Sequence, residues 1–189
     1  AVPIQVNSLA GDSERLVIKF NGALTPHYTI YDYLAGLAQT PGDPGTFVLD
    51  FSGLTRAFPN ALLPVICDCH VLRRGGQELE LIPPVDPSVR SILETTGVLH
   101  ALDPDVFDPP VLASDRHLAI VHVETADQQE RLVSEFVDLL MRSTPLSQSV
   151  LDGFRWIFNE VTGNIFDHSN SVCGGFVQLD IHKSSNRLA

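Results

Sequence analysis

The feature that most constrains the fold is an alternation of short apolar runs and longer helical stretches in the first hundred residues. Three runs with β-strand character lie at residues 16–20, 47–51 and 78–82. Stretches of helical character follow them, at residues 26–39, 60–74 and 86–96. Strands that alternate with helices in this way form βαβ units, whose strands run parallel. The sequence therefore predicts an α/β fold with a mainly parallel sheet.

The pattern changes after residues 103–115, a segment rich in proline and aspartate that is typical of an inter-domain linker. The elements predicted beyond it are a strand, two long helices and a second strand, at residues 117–123, 126–142, 147–167 and 176–182. This order predicts part of an α/β sandwich. We therefore expect two domains, residues 1–108 and residues 109–189.

Composition excludes several classes of function. The net charge of −11, with Arg73 and Arg74 as the longest basic run, argues against nucleic-acid binding, which needs clustered Lys and Arg. No apolar stretch approaches the roughly 20 residues that span a bilayer, and the first residues do not resemble a signal peptide. Three cysteines are too few for a disulfide framework. We expect a cytoplasmic protein that binds neither nucleic acid nor membrane.

Polar residues recur at intervals of four on the last predicted helix. A helical projection places Glu160, Asn164 and His168 in one stripe, beside an apolar face rather than opposite it. The apolar face comprises Val150, Leu151, Phe154, Phe158, Val161 and Ile165. Polar groups at the boundary of a core need partners, and a ligand cavity would provide them. An amide oxygen suits Mg²⁺, and a carboxylate one turn away suits a base. The alternative is a set of surface residues that pair locally.

The sequence around this stripe resembles a known superfamily. Glu-x-x-x-Asn-x-x-x-His-Ser at residues 160–169, within the order strand, helix, long helix and strand, resembles the N-box of the histidine-kinase-like ATPases (GHKL), which include the anti-sigma serine kinases. The resemblance implies that Asn164 binds the Mg²⁺ of ATP and that Glu160 is the catalytic base. It also groups His168 with the cofactor-binding residues.

The sequence departs from this superfamily after the last predicted strand. The superfamily continues with an Asp-x-Gly-x-Gly loop that reads adenine and with a glycine-rich lid over the phosphates. Neither element precedes residue 189. We expect a truncated ATPase domain, and we expect that this chain alone is inactive and does not hold ATP and Mg²⁺.

The first half resembles a second family. Residues 47–55, 73–79 and 91–98 resemble the STAS domain of anti-sigma-factor antagonists. Those antagonists carry a phosphorylatable Ser or Thr at the start of their second helix. Pro59 occupies that place here and has no hydroxyl group. The resemblance implies a STAS-like domain that is not switched by phosphorylation at this position.

Two hypotheses of function follow. In the first, the intact protein is a signalling regulator that binds ATP and Mg²⁺ and acts as an anti-sigma-type serine/threonine kinase or an ATPase. In the second, it is a non-catalytic interaction module with a degenerate or truncated nucleotide site. Both predict a protein partner in a regulatory switch, and both leave room for a homodimer.

The cysteine-rich stretch that includes Cys67, Cys69 and His70 invites a zinc interpretation. A structural zinc site needs four ligands, and no second cysteine pair follows. Positions two apart also point to different sides of a helix. We expect small, buried cysteines on a helix.

Overall fold

The computed structural model describes residues 4–8, 15–24, 45–110, 117–167, 171, 173–182 and 187–188. The chain divides after residue 110 into two units, residues 1–110 and 111–189. This division falls two residues beyond the predicted domain boundary. The helix predicted over residues 26–39 lies outside the described residues.

The described part of the first unit is a four-stranded sheet with helices. Its elements are β1 (Ile4–Ser8), β2 (Arg15–Ala23), β3 (Thr46–Arg56), a 3-10 helix (Pro59–Leu62), α1 (Leu63–Arg74), β4 (Glu78–Ile82), α2 (Pro87–Thr95) and α3 (Val98–Leu102). The strand order is β1-β2-β3-β4. β1 pairs antiparallel with β2, whereas β2, β3 and β4 run parallel. The predicted α/β class and mainly parallel sheet are confirmed, and the three predicted strands lie within β2, β3 and β4.

One face of this sheet forms the core of the first unit, because successive strand residues point to opposite faces. The rings of Phe20 and Phe51 lie on this face and meet edge to face, with centroids 4.6 Å apart. Ile18 is also fully buried there, and Leu93 from α2 is fully buried as well. Burial of side chains this large is the main stabilising term available to the unit.

The opposite face of the sheet carries a set of paired polar groups. The Lys19 Nζ lies 3.2 Å from a carboxylate oxygen of Asp50 on the neighbouring strand. Arg15 likewise pairs with Glu80, in an exposed contact. The Thr46 hydroxyl donates to Glu78 at 3.4 Å. Polar side chains on this face therefore pair with one another across the strands.

The first residues of the predicted linker, 103–107, pack on the first unit. A guanidinium nitrogen of Arg73 lies 3.3 Å from a carboxylate oxygen of Asp103 and forms an ion pair with it. The Asp103 N–H donates to the Leu99 carbonyl at 2.8 Å. The His100 Nδ1 lies 2.7 Å from the Phe107 carbonyl oxygen. Contacts with α1 and α3 thus hold residues 103–107 on the first unit, which agrees with their place inside the predicted first domain.

The second unit packs two helices on a small antiparallel sheet. Its elements are β5 (His117–Val123), α4 (Ala126–Ser143), α5 (Gln148–Asp167), β6 (Gly175–His182) and β7 (Arg187–Leu188). The strand order is β5-β6-β7, with both pairings antiparallel. Thr125 caps α4 in a reciprocal box with Gln128, which satisfies amides at the helix start. The predicted strand, helix, helix, strand order is confirmed.

A glycine pair fixes where β6 begins. Gly174 has a φ of +66°, and a Cβ atom there would lie 2.2 Å from the Val123 carbonyl oxygen at the end of β5. A Cβ on Gly175 would lie 2.8 Å from the Ile165 side chain of α5. At residue 174, only glycine combines the positive φ with the close approach to the Val123 carbonyl oxygen.

In the part of the chain that the structure describes, no helix is long and apolar enough to cross a membrane.

Candidate functional site

The helix α5 buries a narrower arc than its sequence suggests. The inward residues are Leu151, Phe154, Phe158, Thr162 and Ile165, all buried or half-buried. The Phe158 ring meets Phe136 of α4 edge to face, with centroids 5.0 Å apart. The Thr162 hydroxyl donates to the Phe158 carbonyl at 2.6 Å, which allows a polar side chain to be buried here. These contacts fix the rotation of α5 about its axis.

This rotation exposes a stripe of five residues that contains two of the predicted site residues. We call Val150, Ile157, Glu160, Val161 and Asn164 the α5 stripe. Its apolar members are 43%, 46% and 62% exposed, for Val150, Ile157 and Val161 in that order. The helical projection put Val150 and Val161 on the buried face, and this expectation is wrong. The stripe faces solvent instead of bordering the core.

Glu160 and Asn164 lie one helical turn apart on the α5 stripe, and both are exposed. Neither side chain forms a hydrogen bond or an ion pair with another residue of the described chain. Side chains at this spacing have Cβ atoms about 5–6 Å apart, so both can contact one ligand. Their roles as metal ligand and base stay predictions. The third predicted residue, His168, lies outside the described residues.

The donor set of the α5 stripe suits a hydrated magnesium ion. Asn164 offers a neutral oxygen and Glu160 two carboxylate oxygens, and Mg²⁺ prefers oxygen ligands while it keeps waters and phosphates in its shell. Within the described ranges, no three His, Cys, Asp or Glu residues are grouped around a metal position.

A groove lies on another side of α5. It has a volume of about 540 Å³. Its lining comes from α4 and α5 and comprises Ala126, Gln129, Glu130, Val133, Ser134, Arg155 and Asn159. The Gln129 Nε2 bridges the two helices by donating to the Asn159 carbonyl at 3.2 Å. Glu160 and Asn164 are not among the lining residues, so the groove and the α5 stripe are separate surfaces. Sequence reasoning missed the groove because its shape depends on how two helices pack.

The junction after β3 holds the other position that the sequence singles out. Pro59 is the first residue of the 3-10 helix, and Phe58 before it makes no side-chain cap. The Arg56 guanidinium lies 4.9 Å from the centroid of the Phe58 ring, which is 37% exposed. Proline is suited to the first helical position because its fixed φ fits and its missing N–H is not needed there. This junction therefore presents an aromatic and a cationic side chain, with no hydroxyl at residue 59.

Asp50 of β3 is a partly buried acid with a lowered pKa. Burial raises the pKa of its carboxyl, but hydrogen bonds from Ser52 and the neighbouring Lys19 outweigh burial and hold that pKa below 3.8. The Ser52 N–H donates to an Asp50 oxygen at 2.9 Å. Asp50 is thus charged and fully engaged, which favours a structural role in β3.

Burial makes Cys69 of α1 an unreactive thiol. Cys69 is fully buried, and burial raises the pKa of its thiol to about 12. Cys67 is half-buried, and the His70 Nε2 lies 3.1 Å from the Ala101 carbonyl oxygen. A thiol with such a high pKa is a poor nucleophile near neutral pH.

Comparison with known proteins gives one structural likeness. No protein-family model and no curated protein matches this chain. The chain is similar to a solved structure of the anti-sigma factor antagonist SpoIIAA in its unphosphorylated form. The two are 17% identical, the match covers 53% of this chain and 83% of that chain, and the TM-score is 0.42. A likeness at this level does not establish a shared family.

Proposed function

We propose that this chain is part of a signalling regulator whose intact form binds ATP with Mg²⁺ at the α5 stripe. The observation that carries the proposal is the placement of Glu160 and Asn164. They lie one turn apart, exposed and without partners in the described chain, on a helix whose rotation is fixed by its buried face. Polar side chains that are exposed on a packed helix and contact no described neighbour are available to a ligand.

Each residue of the pair has a chemical role in this proposal. The Asn164 amide oxygen would bind Mg²⁺, for which neutral and anionic oxygens are the usual ligands. The Glu160 carboxylate would accept the proton of an attacking hydroxyl or orient an attacking water. Bound ATP would supply a phosphoryl group, whose acceptor would be water or a Ser or Thr of a protein partner.

The first unit would bind the protein partner. Its α/β architecture and the residues that resemble the STAS family favour this role. The exposed pair Arg56 and Phe58 lies at the helix start where STAS antagonists carry their phosphorylation site. Because Pro59 cannot be phosphorylated, partner binding at this junction would be controlled elsewhere in the protein.

Asn164→Ala tests the metal role, in an expressed chain that continues past residue 189. We expect the variant to lose Mg²⁺-dependent ATP binding by about tenfold or more, the order of effect of removing a hydrogen bond to a charged group. Isothermal titration with ATP, with and without Mg²⁺, measures this loss. The matched control is Asn159→Ala, which removes the same side chain from another side of the same helix. Equal ATP affinity in the two variants would exclude the proposed site.

Glu160→Ala tests the role of base in the same longer chain. We expect ATP affinity to stay within about twofold, because the carboxylate acts on the attacking group. Turnover should fall about a hundredfold or more, the contribution typical of general base catalysis. Phosphate release and phosphorylation of the partner protein are the measurements. Unchanged turnover would leave Glu160 without a catalytic role.

The second candidate function is a non-catalytic interaction module. Apolar exposure favours it, because Ile157 and Val161 on the α5 stripe, Trp156 beside them and Phe58 in the first unit all face solvent. In this case the longer chain would bind no ATP, and substitutions at Phe58 or Ile157 would weaken a protein complex. The ATP titration of the unsubstituted longer chain separates the two candidates directly.

A further inference from the structure

The helix α5 contains a glycine whose place the described structure does not explain. Gly153 is exposed, and a Cβ atom added there would meet nothing within 4 Å. Glycine inside a helix is destabilising relative to alanine, because it loses more backbone freedom on folding. Gly153 allows no close approach within its own molecule. It leaves a hollow on the surface of α5 that is open to a side chain from outside.

Four other residues share the face of α5 on which Gly153 lies. On a helix that advances by about 100° per residue, Val150, Gly153, Val161 and Asn164 all fall within about 40° of Ile157. All five residues are exposed, and we call them the pairing face. The pairing face is about 21 Å long and carries no ionisable side chain. Exposed apolar side chains that lie together, as Val150, Ile157 and Val161 do, are typical of surfaces that bind protein.

The pairing face has a symmetric spacing about Ile157. Gly153 and Val161 each lie four residues from Ile157, and Val150 and Asn164 each lie seven residues from it. When two such helices pack antiparallel with a two-fold axis at Ile157, residues at equal distances on either side face each other. The Val161 side chain of each copy then enters the hollow over Gly153 of the other copy, and the two Ile157 side chains meet at the centre.

We propose that the pairing face packs antiparallel on the pairing face of a second copy of this chain. The observation that selects a second copy is the match between Val161 and the hollow at Gly153, which this symmetry makes twice. A contact of one patch with the same patch is also the usual arrangement of homodimers.

The distribution of charge agrees with this choice of occupant. The net charge of −11 opposes association of two copies at most surfaces, whereas the pairing face is uncharged. The nearest acid on α5 is Glu160, about 60° from Ile157 and therefore at the margin of the face. In the proposed dimer the two Glu160 positions are about 9 Å apart along the helix axes. Because this is roughly one Debye length at physiological salt, their repulsion is largely screened.

Asn164 belongs both to the pairing face and to the α5 stripe. A second copy at the pairing face therefore excludes ATP that is bound as proposed above, and this consequence alone rests on the proposed function. The pairing itself needs no nucleotide. Its tests contain none, so their outcome is separate from that of the ATP titrations.

The expected dimer is weak. Five residues from each copy bury less than the about 1,200 Å² that marks the lower end of stable interfaces. We therefore expect a dissociation constant in the micromolar range. Such a dimer would form as the concentration of the chain rises.

The first test measures association of the full chain of 189 residues. Sedimentation equilibrium from about 5 to 500 µM should show a shift from monomer to dimer. Ile157→Glu places two carboxylates opposite each other at the centre of the pairing face and should raise the dissociation constant about tenfold or more. Val71→Glu is the control, because Val71 on α1 is 47% exposed and Ile157 is 46% exposed. A monomer at every concentration, or an equal effect of the two substitutions, overturns the proposal.

The second test exchanges the side chain and the hollow. Val161→Gly removes the side chain that enters the hollow, and Gly153→Val fills the hollow, so each alone should raise the dissociation constant about tenfold. Both substitutions together restore the match with the two positions exchanged, and the constant should return to within about threefold of the unsubstituted value. Circular dichroism checks that the helices are retained. A double variant that associates as weakly as the single variants overturns the proposed pairing.

Discussion

The polar face of the first unit's sheet and the α5 stripe both carry charged or polar side chains, but these side chains differ in their partners. On the sheet, Lys19 engages Asp50 across neighbouring strands, and Asp50 also accepts from the Ser52 N–H. On α5, Glu160 and Asn164 engage no described neighbour. A polar group that pairs with a neighbour contributes to the stability of the fold, whereas an exposed one without a described neighbour is hydrated by solvent. The first arrangement stabilises the sheet, and the second leaves Glu160 and Asn164 accessible to solvent.

The largest expected effect tests which face of α5 is buried, since the α5 stripe depends on it. Leu151→Ala removes a side chain that is packed with Val137 and Leu140 of α4. It should lower the free energy of unfolding by about 2–4 kcal/mol, the usual cost of such a cavity. Val161→Ala, on the exposed side, should change it by less than about 0.5 kcal/mol. Urea unfolding measures both, and similar losses would show that the helix is rotated differently.

The second-largest expected effect tests the contacts of Asp50 on the polar face of the sheet. Asp50→Ala leaves the Ser52 N–H and Lys19 without their acceptor and should cost about 1–3 kcal/mol near neutral pH. Because the folded-state pKa of Asp50 lies below 3.8, its charged form contributes stability above that pH. The unfolded chain binds the proton more readily, so this contribution falls as the pH drops below about 4 and through the folded-state pKa.

Urea unfolding from pH 2 to 7 checks both parts of this expectation. The difference in stability between the unsubstituted chain and Asp50→Ala should shrink toward the acid end. A difference that is constant across the range would mean that Asp50 does not titrate differently in the folded and unfolded states.

Asn164→Ala gives the smallest expected effect, a change of less than about 0.5 kcal/mol in stability.

The α/β class and the order of the described elements could be predicted because they follow from local patterns. Segments with strand periodicity alternate with segments with helical periodicity in the first hundred residues, and this alternation indicates a sheet of parallel strands. Each of these features depends on a few neighbouring residues.

The α5 stripe could be predicted only in part. A helical projection finds that Glu160 and Asn164 share a side, but it treats Val161 and Ile165 as equally apolar. Packing on α4 decides that Ile165 faces inward and Val161 outward, and Thr162 is buried through a hydrogen bond to its own helix. The contact that holds residues 103–107 escaped prediction for the same reason, because the partner of Asp103 is Arg73, far away in the sequence.

The close approach at Gly174 has a consequence for how the second unit assembles. The His122 Nε2 lies 2.6 Å from the carbonyl oxygen of Cys173, although the two residues are 51 positions apart. The β5–β6 pairing therefore closes a long loop, and that closure carries an entropic cost which the contiguous helices α4 and α5 do not incur. The contacts between α4 and α5 are therefore expected to form early in folding. The pairing of β5 with β6 is expected to form more slowly, because the two strands are far apart in the sequence.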